Sequence, residues 1–220
     1  MIKQFKITFL LDSSNLWFEK TLRNYNFKLN NKYIFKISKN PNNIKNQDIV
    51  IAISYTKILS NNFLDKNGLV LIIHPSKLPK DMGFSPLQYQ ILRNKNKNKF
   101  YISLIKAAKE VDTGTIYLQN SFIIGETELS DEIRNIQGIQ ILKIIKKFLV
   151  RYPHVKPKKQ IGKSNFNRRR YPKDSQLNIN KTIKQQFNHL RINDNKLYPS
   201  FFYYKDQKYI IKIFKEKDNF

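Results

Sequence analysis

Four short strand-like segments, residues 5–11, 33–37, 48–54 and 69–73, follow one another with polar stretches long enough for crossovers between them. The third and fourth are apolar without alternation: Ile49-Val50-Ile51-Ala52-Ile53 and Leu69-Val70-Leu71-Ile72-Ile73. A strand apolar on both faces is buried on both faces, which points to a mostly parallel sheet covered by helices. A first helix is expected over residues 15–25, where Leu16, Phe18 and Leu22 form one face after Asp12-Ser13-Ser14. The expected fold class is α/β, and in such sheets ligands sit at the carboxyl ends of the strands, where Ser54-Tyr55 and His74 fall.

Further along, a helix is expected from Pro86 to about Leu92, then an Asn/Lys loop at 94–99 and strands near 101–105 and 115–119. Residues 126–149 carry a long helical pattern through Leu129, Ile133, Ile136, Ile139, Leu142, Ile145 and Leu149, broken or kinked near Gly138 and ended by Pro153. This helix closes an expected main domain, residues 1–150. Residues 151–172 read as a basic, proline-containing linker. A short helix at 182–190 and a two-stranded ending, 201–204 and 209–214 around Asp206-Gln207, complete a small C-terminal α+β module, residues 151–220. So small a module buries little surface alone and is expected to pack on the first domain.

The 220 residues are 40% hydrophobic and 13% aromatic, enough apolar surface to fold. Every apolar run is far shorter than the roughly 20 residues of a membrane span, so no span is expected. The chain has no cysteine, which excludes disulfides and thiolate metal sites and is compatible with the cytoplasm, the expected location. Three histidines without ligand spacing give no expectation of a metal. The net charge of +25 has two readings: an anionic partner, or lysine spread through the chain with Asn and Ile by a composition bias in the coding DNA.

Two motifs carry candidate chemistry. His74-Pro75-Ser76-Lys77-Leu78-Pro79 follows the fourth strand and runs into Gly83-Phe84-Ser85-Pro86; Glu110-Val111-Asp112-Thr113-Gly114 forms a second turn. A histidine just past a buried strand can donate to a developing oxyanion or accept a proton, and Asp112 could orient its ring. By spacing alone, a single His and a single Asp so far apart more often serve as a turn residue and a cap.

These residues resemble a known family. The stretch from His74 to Pro86 resembles the histidine loop of the formyltransferases that use 10-formyltetrahydrofolate, and Glu110 to Gly114 resembles their aspartate loop. The similarity extends to Ile53-Ser54-Tyr55-Thr56 and, in the tail, to Asp174-Ser175, Gln186-Phe187-Asn188, Leu190-Arg191-Ile192, Asp194-Asn195 and Tyr198-Pro199-Ser200-Phe201-Phe202, which resemble the short tail of sugar N-formyltransferases. The resemblance implies a Rossmann-like sheet and transfer of a formyl group from the folate to the primary amine of a nucleotide-linked amino sugar. It implies that the amine attacks the formyl carbon, that His74 stabilises the tetrahedral oxyanion, and that Asp112 keeps His74 suitably protonated and helps relay the amine's proton. It also implies that Tyr55, Val111, Thr113 and Gly114 hold the pterin, and that Leu78, Pro79 and Gly83 shape the way in for the cofactor. Ser76 and Lys80 are expected to face the acceptor.

Two departures from the family pattern stand out. Ile72 occupies the place of an asparagine two residues before the histidine, and losing such a donor costs about 100-fold to 1000-fold in rate. Asp81-Met82 stand where the family commonly has glycine and arginine. The run Arg168-Arg169-Arg170 can fork onto a diphosphate or form a solvated basic loop. Phe187, Phe201 and Phe202 suit the core more than a nucleobase stack, and His154 and His189 read as surface or packing residues. Two alternatives to the sugar enzyme stay open: a methionyl-tRNA formyltransferase, with tRNA as partner, and a catalytically impaired binding homologue. A homodimer is compatible with the sequence.

Overall fold

The structure, a computed structural model, describes residues 4–13, 16–25, 27–93 and 98–216. Strand β1 (Phe5–Leu11) leads to helix α1 (Leu16–Asn24), β2 (Tyr33–Ser38), β3 (Ile49–Ile53), the short helix α2 (Asn61–Asp65) and β4 (Leu69–His74). Next come a two-residue strand β5 (Met82–Gly83), helix α3 (Pro86–Arg93), β6 (Lys99–Lys106), β7 (Ile116–Ile123) and the long helix α4 (Ser130–Arg151). The tail adds β8 (Phe166–Asn167), α5 (Phe187–Ile192) and the hairpin β9 (Ser200–Tyr204) and β10 (Gln207–Ile211). The expected cap at 12–14 and the loop at 94–99 lie partly outside the described residues.

The sheet runs β2-β1-β3-β4-β6-β7, with the first four strands parallel and the last two antiparallel. This is the expected α/β, Rossmann-like, mostly parallel sheet with flanking helices. Along β3, Ile49, Ile51 and Ile53 join Phe9, Leu71 and Ile73 in the core beneath Phe18 of α1 and Ile141, Ile145 and Phe148 of α4. Val50 points the other way and joins Leu10, Ile44, Phe63 and Val70. Each central strand is therefore buried twice, which is why its sequence does not alternate. The same parity carries Val70, Ile72 and His74 along the second face toward the strand end.

Helix α4 is continuous through Gly138, contrary to the expected break. A Cβ at that position would come within 2.7 Å of Thr21 Cγ2 and Oγ1, so the glycine lets α1 approach closely, which offsets its low helix propensity. The tail hairpin turns at Lys205-Asp206, both at positive φ (46° and 60°), not at Asp206-Gln207; two such residues make the two-residue turn whose twist matches the strands. The helix expected at 182–190 is a 3-10 turn, Lys184–Gln186, continued by α5.

The segment read as a linker has a different character. Lys158 pairs antiparallel with Ile116 beside the sheet, and β8 pairs in parallel with β5, inside the histidine loop. Nothing in its composition announces this, because its contacts are backbone and amide hydrogen bonds and not apolar burial.

Candidate active site

The parallel strands reverse their order of addition between β1 and β3, and the loops leaving these two strands meet at their carboxyl ends. Thr56 donates its hydroxyl and its N–H to Asp12 Oδ2, tying the loop that contains Tyr55 to the end of β1. Burial, then the charge of Asp12, pushes the Tyr55 hydroxyl pKa up, so the phenol stays protonated. Ser54, just before it, sits at φ 50°.

His74 is the last residue of β4, opposite Ser103 of β6. The residue is 4% exposed and its ring is held on both sides. Nδ1 lies 3.3 Å from Asp112 Oδ1, and Nε2 lies 2.7 Å from the Asp81 carbonyl oxygen. A carbonyl only accepts, so Nε2 carries a hydrogen; both contacts are donations only when the ring carries both hydrogens. Asp112 is also buried, and the Gly83 N–H donates to its Oδ2 at 2.8 Å. The carboxylate thus spans the two loops, one oxygen toward the imidazole and one toward the histidine loop.

Local geometry explains the residue types. Asp112 sits at φ 58° and Asp81 at φ 59°, a left-handed conformation that aspartate tolerates better than most residues. Gly83, at φ 85°, leaves no room for a Cβ, which would lie 2.5 Å from the Asn167 carbonyl.

The other expected site residues fall into three groups. Val111 and Thr113 are exposed at the rim beside Asp112, while Gly114 is buried. Pro79 is half-buried and Lys80 exposed on the histidine loop. Ser76 and Leu78 are buried, and Ser76 donates its hydroxyl to the Lys80 carbonyl at 2.7 Å while accepting from Ser103 Oγ on its own carbonyl. The Ser76 side chain therefore closes the loop from within instead of facing an acceptor, a correction to its expected place. The arginines divide as well. Arg168 forks onto Asp174, and Arg170, partly buried, donates to the Asp174 carbonyl and to Asn193 Oδ1. Arg169 is the one that leans toward the loops, with its guanidinium 5.8 Å from the Phe84 ring centre.

Ile72 is half-buried between Ala52 and Ile105 and shares a sheet face with His74. Asp81 takes up the second departure: its side chain accepts from Arg93, Asn165 and Asn167. Asp81, Gln160, Asn165 and Asn167 are the residues that sequence reasoning missed. Only the Asp81 departure signalled any of them; three amides in a polar stretch carry no periodicity.

His189 is a packing residue: Nε2 donates to the Asp174 carbonyl at 2.6 Å. Burial, and to a lesser degree Arg170, lowers its pKa below the ordinary 6.5. The unfolded chain therefore takes up this proton first, and stability present above about 6.5 is lost as the pH falls toward the folded value. Thermal melting between pH 7 and 5 should fall more steeply for the native chain than for His189→Gln; equal slopes would exclude this contribution.

A concavity of about 730 Å³ opens at the amino ends of β3 and β4, bordered by Asp48, Asp65, Tyr117 and Tyr152. It lies away from His74 and Asp112 and at the end of the sheet where such folds do not place ligands. Among the described residues no group of three or more His, Cys, Asp or Glu is arranged to hold a metal, and no helix is long and apolar enough to cross a membrane.

Fold and site together define an α/β domain with a buried imidazole–carboxylate pair at its strand ends. Residues 19–138 match the family described as Formyl transferase, and the chain belongs to that family. It is 30% identical over 156 residues to a methionyl-tRNA formyltransferase of Fusobacterium nucleatum, covering 66% of this chain and 47% of that protein. The chain thus spans about half the length of that curated relative. In structure it is similar to a methionyl-tRNA formyltransferase from Clostridium thermocellum (TM-score 0.81, 21% identity, 98% of this chain and 95% of that one). It is also similar to a sugar N-formyltransferase from a Shewanella species (TM-score 0.69, 16% identity, 97% of this chain and 98% of that one). At such identities the structural likeness concerns the fold.

Proposed function

We propose that this chain transfers a formyl group from 10-formyltetrahydrofolate to a primary amine, using His74 and Asp112, and that the amine belongs to a nucleotide-linked amino sugar. The observation that carries the reading is the 3.3 Å approach of His74 Nδ1 to Asp112 Oδ1, made by the two loops that resemble the family's. The residues present suit a pterin: half-buried Ile72 lies on the sheet face of His74 and exposed Val111 lies beside Asp112, offering apolar surface next to polar atoms. Tyr55, Val111, Thr113 and Gly114 line its place, with Leu78, Pro79 and Gly83 forming the histidine-loop side.

The folate, when bound, supplies an activated formyl group. His74 holds a hydrogen on Nε2, which goes to the Asp81 carbonyl in this structure and would be offered to the formyl oxygen of the bound substrate. Asp112 sets the ring's orientation and receives the proton released by the attacking amine; as the bond from the formyl carbon to the folate nitrogen breaks, that proton would pass to the leaving nitrogen. A donor of this kind is worth about 100-fold to 1000-fold in rate, and Ile72 adds none.

The acceptor reading rests on the tail. Arg169 beside Phe84 places a guanidinium near the histidine loop, where a diphosphate would be gripped by its planar fork, with Lys80 exposed on the same loop. A second reading, formylation of methionyl-tRNA, is favoured by the net charge of +25 and by the names of the relatives. The test offers 10-formyltetrahydrofolate with nucleotide-linked 3-amino and 4-amino deoxysugars in parallel with charged initiator tRNA. Formylated sugar supports the first reading; formylated tRNA with strongly salt-dependent binding replaces it with the second.

A further inference from the structure

We infer that Gln160 is the positioning residue of the His74–Asp112 pair, acting through the backbone of the aspartate loop; the inference rests on the reading of that pair as catalytic. Gln160 Nε2 donates to the Asp112 carbonyl at 2.6 Å and to the Gly114 carbonyl at 2.8 Å. These two carbonyls lie on either side of the turn, so one amide group fixes the peptide planes that aim the Asp112 carboxylate. The loop needs such a hold. Asp112 sits at φ 58°, a left-handed conformation that aspartate tolerates better than most residues but that still persists only where the surroundings hold it.

The other end of the same segment holds the other loop. Lys158 pairs with Ile116 through both backbone hydrogen bonds, at 2.8 and 2.9 Å. Five residues beyond Gln160, Asn165 Oδ1 accepts from the Asp81 N–H at 3.0 Å, its Nδ2 donates to Asp81 Oδ1 at 3.1 Å, and its carbonyl accepts from the Met82 N–H at 3.0 Å. Asp81 in turn receives His74 Nε2. Residues 158–167 therefore strap the aspartate loop to the histidine loop, and the imidazole–carboxylate distance is set by where the strap holds each.

Gln160 itself is not placed for its own comfort. Among the described residues its Oε1 is buried without a hydrogen-bond partner, so the amide is held through its donor side.

The test compares Gln160→Met, which keeps the volume and loses the donor, with Gln160→Lys, which keeps a donor. Two readouts are taken. The first is the ¹⁵N and ¹H signals of the His74 ring at fixed pH in the full chain, with Asp112→Asn as reference and His154 and His189 as internal controls. The Met variant should move the His74 signals toward those of Asp112→Asn and leave the other two histidines in place; the Lys variant should stay near the native signals. The second is kinetics, where the Met variant should lower kcat by about 10-fold to 100-fold, the scale of misplacing a catalytic group, with little change in the acceptor KM. Unchanged His74 signals and unchanged kcat in a cooperatively melting Met variant overturn the inference. If the Met variant does not fold, the Lys variant decides: native-like signals and kcat support the donor role, and signals displaced to the Asp112→Asn values overturn it. If the native chain transfers no formyl group, the reading of function fails, while the His74 signals still decide whether Gln160 positions the pair.

Discussion

His74→Ala is expected to lower the turnover of formyl transfer by about 100-fold to 1000-fold while nucleotide binding stays close to native. The ring holds a hydrogen on Nε2 at the end of β4, and several neighbouring polar groups are already engaged. Ser103 spends its hydroxyl on the Ser76 carbonyl, Gln119 donates to Ser103, and the Gly83 N–H is held by Asp112. The substitution also leaves Asp112 buried with only the Gly83 N–H and its backbone contacts, so thermal melting is recorded alongside. His74→Gln restores an N–H within reach of the same place and should recover part of the rate. Turnover near native in the alanine variant would remove His74 from the mechanism.

Gly114→Ala is expected to be the most damaging single methyl in the chain for stability. A Cβ there would overlap the carbonyl oxygen of Lys106, a backbone atom at the end of β6 whose own N–H donates to the Thr115 carbonyl at 2.9 Å. No side chain can turn aside, so either the end of β6 or the aspartate loop must move. Overpacking of this kind costs about 3 kcal/mol, which in a chain of this size lowers the melting temperature by about 6–12 °C. Movement of residue 114 also pulls its carbonyl from Gln160 and turns Asp112, so the remaining folded protein should lose activity. Circular dichroism melting decides it; an alanine variant with native melting temperature and native activity would contradict the packing described for this loop.

The sheet was legible in the sequence because its information is apolar and periodic. Residues 49–53 and 69–73 can be satisfied only by burial on both faces, and both became central parallel strands. The histidine and aspartate loops were legible through their motifs. What escaped is encoded in hydrogen bonds to backbone. The polar stretch containing Gln160 and Asn165 has no apolar pattern, so it read as a linker, although its amides hold the two loops together. Gly138 read as a helix breaker because propensity is local, whereas the reason for the residue is Thr21 on another helix. The arginine run read as one unit, yet Asp174 engages Arg168 through its carboxylate and Arg170 through its carbonyl and leaves Arg169 toward the loops; a carboxylate six residues away is invisible to a reading by composition.

The most direct test of the central claim is a single-turnover reaction of the purified chain with isotope-labelled 10-formyltetrahydrofolate and the acceptor panel, read by mass spectrometry of the acceptor. The account predicts label on a primary amine of one acceptor with native protein, and its loss with Asp112→Asn as with His74→Ala. Folate binding without label on any acceptor, unchanged by either substitution, would contradict it.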